Sequence, residues 1–135
     1  MDNYTVPPFP ALGWPPQDPT RQLRSLPEMW RFTLLWTLAI YAIFHLSAAS
    51  IAIIMHTGKT TSDWKYLCMV PLVYTFVAGV EALIAGSVTG AIVGTLYLIG
   101  NYQMSTWVPF VWAWINVLVL IISSFSIQGE RVARV

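Results

Sequence analysis

Residues 78–94 read AGVEALIAGSVTGAIVG, and the spacing of their small side chains decides the class of this protein. Ala78, Ala82, Gly86, Gly90 and Gly94 recur at every fourth position, so a helix through this run carries one nearly bare stripe along which another helix can lie backbone to backbone. Three glycines on one stripe make a poor helix in water, at about 1 kcal/mol each against alanine. In a bilayer, where an unpaired peptide group is far more costly, the helix persists. Glu81 interrupts the run and is the sole formal charge among the 64 residues between Lys65 and Glu130. A carboxyl placed there needs a partner or a purpose.

Working outward, the whole chain has the composition of a bilayer protein. Of 135 residues 56% are hydrophobic and 10% charged, well below the roughly 25% charged of soluble domains. The reading is an all-α integral membrane protein with three transmembrane helices. A net charge of +1 gives no field for nucleic acid, and no basic stripe is interleaved with aromatics. Cys68 is the only cysteine, so the chain offers no internal disulfide and no cysteine-based zinc cluster; neither a metal nor another cofactor is expected.

Residues 1–27 form a proline-rich arm. Pro7, Pro8, Pro10, Pro15, Pro16 and Pro19, with Pro27 following, remove amide donors and favour extended backbone. The expectation is an irregular, mobile tail in which Phe9, Leu12 and Trp14 are incidental, against the alternative that they lie on the membrane interface or dock on a partner. The first span, not a cleaved leader, is expected to direct insertion. Asn3 heads an Asn-Tyr-Thr acceptor sequon, meaningful only for a lumenal or extracellular arm.

Helix one opens at Ser25, Leu26, Pro27, Glu28, Met29, Trp30, where Ser25 and Glu28 have the spacing of a capping box and proline is tolerated in the first turn. The 24 residues 32–55 carry no formal charge and span about 36 Å as helix, enough for a hydrocarbon core of about 30 Å. His45 falls near the middle. It either hydrogen-bonds across to a neighbouring helix or handles a proton or ligand. Residues 56–65 form a polar loop. The next apolar stretch, 66–99, is long for one crossing and marginal for two, so either Pro71 kinks a single long helix or the segment breaks near Glu81. The stripe keeps its phase through Glu81, which favours the single helix. A third helix is expected over 104–127, with Asn116 inside it and Trp107, Trp112 and Trp114 toward its start. The boundaries are thus an arm over 1–27, a membrane domain over 28–128 with helices at about 29–56, 65–99 and 104–127, and a short charged tail over 129–135. Counting basic residues on the two sides barely separates the orientations, and the sequon tips the balance to an outside arm.

The run Leu26, Pro27, Glu28, Met29, Trp30, followed by Leu35, Trp36, Phe44 and His45 and then a glycine-rich second hydrophobic stretch, resembles the transmembrane protein 170 family. The resemblance is strongest over residues 26–50. It implies a small three-span protein of the endoplasmic reticulum or nuclear envelope, linked to membrane shape, with its amino terminus lumenal. The proline-dense arm and Glu81 have no place in that pattern.

For chemistry, the membrane interior offers Glu81, His45, Asn116 and some hydroxyls. Glu81 and His45 both fall near midspan, where a meeting would make an ion pair or a shared proton. No nucleophile with an orienting base, no phosphate loop and no metal shell accompanies them, so an enzyme is not expected. Two function classes fit. In one, the chain organises endoplasmic reticulum or nuclear-envelope membrane, with lipids as its partners. In the other it is an accessory subunit held through the small stripe against other transmembrane helices, those of a large multispanning enzyme or transporter.

Overall fold

The computed structural model describes residues 4–57 and 64–133, and three long helices dominate it: α1 (Leu26–His56), α2 (Trp64–Ile99) and α3 (Trp107–Ala133). All three contain segments long and apolar enough to cross a membrane, at Leu26–His56, Cys68–Ile99 and Trp107–Ser126. Two short strands, β1 (Gln22–Leu23) and β2 (Met104–Ser105), pair antiparallel, Gln22 opposite Ser105 and Leu23 opposite Met104.

α1 begins at the expected capping box: Glu28 turns back to accept from the amides of Ser25 at 3.3 Å and Arg24 at 3.0 Å, with Pro27 in the first turn. α2 is one continuous helix of 36 residues that contains Pro71. Proline there leaves a carbonyl one turn back without its amide, which a bilayer helix tolerates when the rest of the ladder holds. Its end is a Schellman motif. Asn101 takes a positive φ of 54°, its amide reaches Leu98 O at 3.0 Å, and the Tyr102 amide reaches Tyr97 O at 2.9 Å.

Three boundaries differ from the sequence reading. Helix one starts at Leu26, inside the span assigned to the arm. Helix three starts at Trp107, because Met104 and Ser105 are drawn into the strand pair and Met104 is wholly buried against Leu23. At its far end α3 runs on to Ala133 through most of the expected charged tail, whose Glu130, Arg131 and Ala133 are good helix formers. Residues 58–63, the centre of the polar loop, lie outside the described residues.

The core forms around α1, on which both other helices pack. Near the arm, Leu23, Met29, Phe32, Val93 and Met104 make one buried cluster; deeper in the bundle, Ile40, Tyr41, Ala82, Ala113 and Val117 make a second. α2 and α3 touch each other little and leave a groove between them.

The arm corrects the expectation of a mobile tail. It folds over the end of the bundle where α1 begins and α2 ends. Prolines deprive it of donors but leave its carbonyls free, and residues 105–107, at the entry to α3, supply the donors that those carbonyls lack. Thr106 Oγ1 donates to Ala11 O at 3.0 Å, Trp107 Nε1 to Gly13 O at 2.9 Å, and Ser105 Oγ to Pro16 O at 2.6 Å. Phe9 packs on Trp36 and Phe32, with ring centroids 5.0 and 5.8 Å away, and Trp36 meets Phe110 edge-on at 4.8 Å. Tyr4 donates to the Glu28 carboxylate at 2.8 Å while the Arg24 guanidinium lies 4.6 Å from its ring centroid. Burial first, and then the Glu28 contact, push the Tyr4 phenol up to about 12.

Candidate functional site

Every member of the small stripe is buried: Ala78, Ala82, Gly86, Gly90 and Gly94, with Ala82 at 0% exposure. The surface they meet is α1. A Cβ placed on Gly94 would lie 2.8 Å from Leu26 Cδ1 and 3.3 Å from Met29 Cβ. On Gly90 it would lie 3.1 Å from Trp30 Cα and 3.2 Å from Thr33 Cβ, and on Gly86 3.1 Å from Thr37 Cβ and 3.2 Å from Leu34 Cα. Descending numbers on α2 thus pair with ascending numbers on α1, as antiparallel neighbours require. At Gly86 and Gly90 the opposing atoms include backbone, which cannot swing aside, so the stripe is the seat of α1 within the same chain. Gly79, off the stripe, has nothing within 4 Å of a Cβ.

α1 meets the stripe with a ridge of its own at the same spacing: Met29, Thr33, Thr37, Tyr41, His45 and Ala49 are all buried. The two threonines hide their hydroxyls by donating one turn back, Thr33 to Met29 O and Thr37 to Thr33 O, each at 2.8 Å. Thr37 still has a lone pair to offer, and Asn116 Nδ2 donates to it at 3.3 Å. Thr89 Oγ1 in turn donates to Asn116 Oδ1 at 3.0 Å. One side chain from each helix therefore joins a single polar clasp, Thr37 on α1, Thr89 on α2 and Asn116 on α3. Tyr41 adds a third tie, donating to the Asn116 carbonyl at 3.3 Å. Interhelical hydrogen bonds of this kind contribute about 0.6 kcal/mol each on average, up to about 1.7. Asn116 was visible from the sequence as an intramembrane amide. Its partners were not, since threonine at a helix position carries no signal until the register is known.

Glu81 and His45 do not meet. His45 is buried on the α1 ridge, its Nδ1 2.8 Å from the Tyr41 carbonyl and its ring stacked on Tyr41 at 5.7 Å and near Tyr74 at 5.2 Å. Glu81 stands about 60° around α2 from Ala78 and about 100° from Ala82, is exposed, and has no hydrogen bond or ion pair among the described residues. It lines the groove between α2 and α3, a space of about 320 Å³ shared with Tyr41, Ala85, Asn116 and Ser123. The seat of α1 on the stripe separates the two groups: His45 follows the buried ridge of α1, whereas Glu81 is off the face of α2 that α1 covers.

Of the helix-start motif, Met29 is fully buried in the first core cluster, Trp30 lays its backbone against Gly90 and leaves its ring half-exposed, and Ser25, Pro27 and Glu28 build the cap. Asn3 lies outside the described residues. Among those residues no group of three or more His, Cys, Asp or Glu is placed to hold a metal.

The comparisons with known proteins agree with this architecture. Residues 22–130 match the model of a family described as Transmembrane protein 170A/B-like. The uncharacterized protein YPR153W of Saccharomyces cerevisiae is 33% identical over 131 residues, covering 95% of this chain and 90% of its own length. No solved structure matches. The matched span takes in β1, the capping box, the stripe and the Thr37, Thr89 and Asn116 clasp, so the chain, as a three-helix membrane protein, belongs to the transmembrane protein 170 family.

Proposed function

We propose that this protein is a non-enzymatic organiser of endoplasmic reticulum or nuclear-envelope membrane, acting through its shape in the bilayer, with the arm on the lumenal side. One observation carries the reading. The arm is fastened across one end of the bundle and presents Trp14, 87% exposed, together with Phe9 and Val6, where indole and apolar side chains enter the headgroup region. Tyr102 is exposed on the adjoining turn. A folded apolar plate beside the helices occupies area in one leaflet, and unequal leaflet areas favour curvature. The stripe is filled by α1, so an accessory role would use another surface.

The test is the ratio of sheet to tubular endoplasmic reticulum in cells producing the full chain or Trp14→Ser at equal abundance. The wild type shifts the ratio and Trp14→Ser loses most of that shift. An equal shift from both would remove the plate from the explanation.

A further inference from the structure

The groove between α2 and α3 holds a polar group of the membrane domain that the fold does not use, Glu81. Tyr41 and Asn116 sit at the midpoints of the apolar spans Leu26–His56 and Trp107–Ser126, and Glu81 lies within three residues of the midpoint of Cys68–Ile99, so all three fall near mid-span. The Asn116 amide and the Tyr41 hydroxyl are taken up by the clasp, but the Glu81 carboxyl is turned into the groove without a donor among the described residues. The chain has no lysine or arginine in residues 32–58 or 66–130 to answer it.

We propose that this groove seats a transmembrane helix of another protein, one that carries a lysine or arginine at mid-bilayer depth to pair with Glu81. Charge complementarity identifies the occupant: a carboxyl in hydrocarbon calls for a cationic donor, and a charge-assisted pair is strongest where water is excluded. Depth narrows the source. Glu81 lies about 15 Å from either headgroup layer, half of a core of about 30 Å, and a cation is held at that depth by a polypeptide and not by the headgroup of a lipid. Shape agrees, because the groove that Glu81 lines has the small side chains Ala85 and Ser123 among its apolar walls, and Asn116 to Ser123 is two turns, or about 10 Å, of wall. A second copy of this chain offers only His45 near midspan, and His45 is buried. The proposal is the accessory-subunit reading moved off the stripe, and it stands or falls independently of the arm's effect on membrane shape.

The test uses the full-length protein in phosphatidylcholine vesicles with a synthetic leucine-alanine transmembrane peptide of about 20 residues whose central residue is Lys or Leu. Energy transfer is read from a fluorophore on Cys68, which is exposed and the sole cysteine, to an acceptor on the peptide. The Lys peptide associates at least about tenfold more tightly than the Leu peptide. Glu81→Gln abolishes that difference, and Ser123→Leu, which keeps the carboxyl and fills the groove, weakens the Lys peptide several-fold. Equal association of the two peptides, or a Lys preference that survives Glu81→Gln, overturns the proposal. So does displacement of the Lys peptide by equimolar hexadecylamine, which would make the occupant a lipid amine. Transfer between differently labelled copies of the protein that Glu81→Gln abolishes would make it a second copy and overturn it likewise.

Discussion

Two faces of the same helix, about 100° apart on α2, have opposite fates. The stripe of Ala78, Ala82, Gly86, Gly90 and Gly94 is closed by α1 at backbone contact, whereas the face bearing Glu81 and Ala85 opens on a groove that α3 borders without filling. Small residues and a carboxyl are both anomalies in an apolar helix, yet only the small residues are explained by the fold of this chain. The small residues are met at short range by the chain's own first helix, whereas the Glu81 carboxyl has no hydrogen-bond or ion-pair partner among the described residues.

The contrast can be broken most severely at Gly90. Leucine there would drive its side chain into the Trp30 backbone, and Gly90→Leu is expected to cost about 3 kcal/mol, the upper range of overpacking, read as a fall in thermal stability in mild detergent and as loss of α1–α2 proximity. Asn116→Leu removes the centre of the clasp and leaves Thr89 without its acceptor; about 1–2 kcal/mol is expected by the same measurement. Tyr4→Phe deletes the hydrogen bond to Glu28 and is expected to cost about 1 kcal/mol or less, read as readier proteolysis of the arm. The same contact sets a pH window. Tyr4 has its proton held more tightly in the fold, about 12 against 10.0, so its contribution is complete below pH 10 and is lost as pH rises through about 12. Gly79→Ala, with open space around its Cβ, is expected to leave stability unchanged within about 0.5 kcal/mol. Were Gly79→Ala as damaging as Gly90→Ala, close contact would not be confined to the stripe.

Much of this fold was legible in the amino-acid sequence, and the reason is the solvent. Three runs of bilayer length, two without a formal charge and one carrying only Glu81, announce three helices, and the fourfold spacing of small residues keeps its phase through Glu81, as the continuous α2 does. Hydrophobic periodicity has nothing to say about the arm. Its anchors are the carbonyls of Ala11, Gly13 and Pro16, which no side-chain pattern marks, and its donors come from residues some 90 positions later. The clasp was half legible. Asn116 is conspicuous among apolar neighbours, but Thr37 and Thr89 become its partners only once both other helices are set against α1 in register. Placing His45 opposite Glu81 failed for the same reason: equal depth does not give equal facing, and only the seat of α1 on the stripe decides which side each group sees.

Disulfide formation in native membranes reports whether the glycine stripe is the seat of α1 within the same molecule. In a Cys68→Ser background, Thr33→Cys is combined with Gly90→Cys, whose Cβ atoms would start 3.2 Å apart and need only a few tenths of an ångström to reach disulfide geometry. The account predicts rapid cross-linking inside a single chain, seen as one linked fragment pair after cleavage in the loop between α1 and α2. Cross-links between chains instead, or none under oxidation, would contradict it.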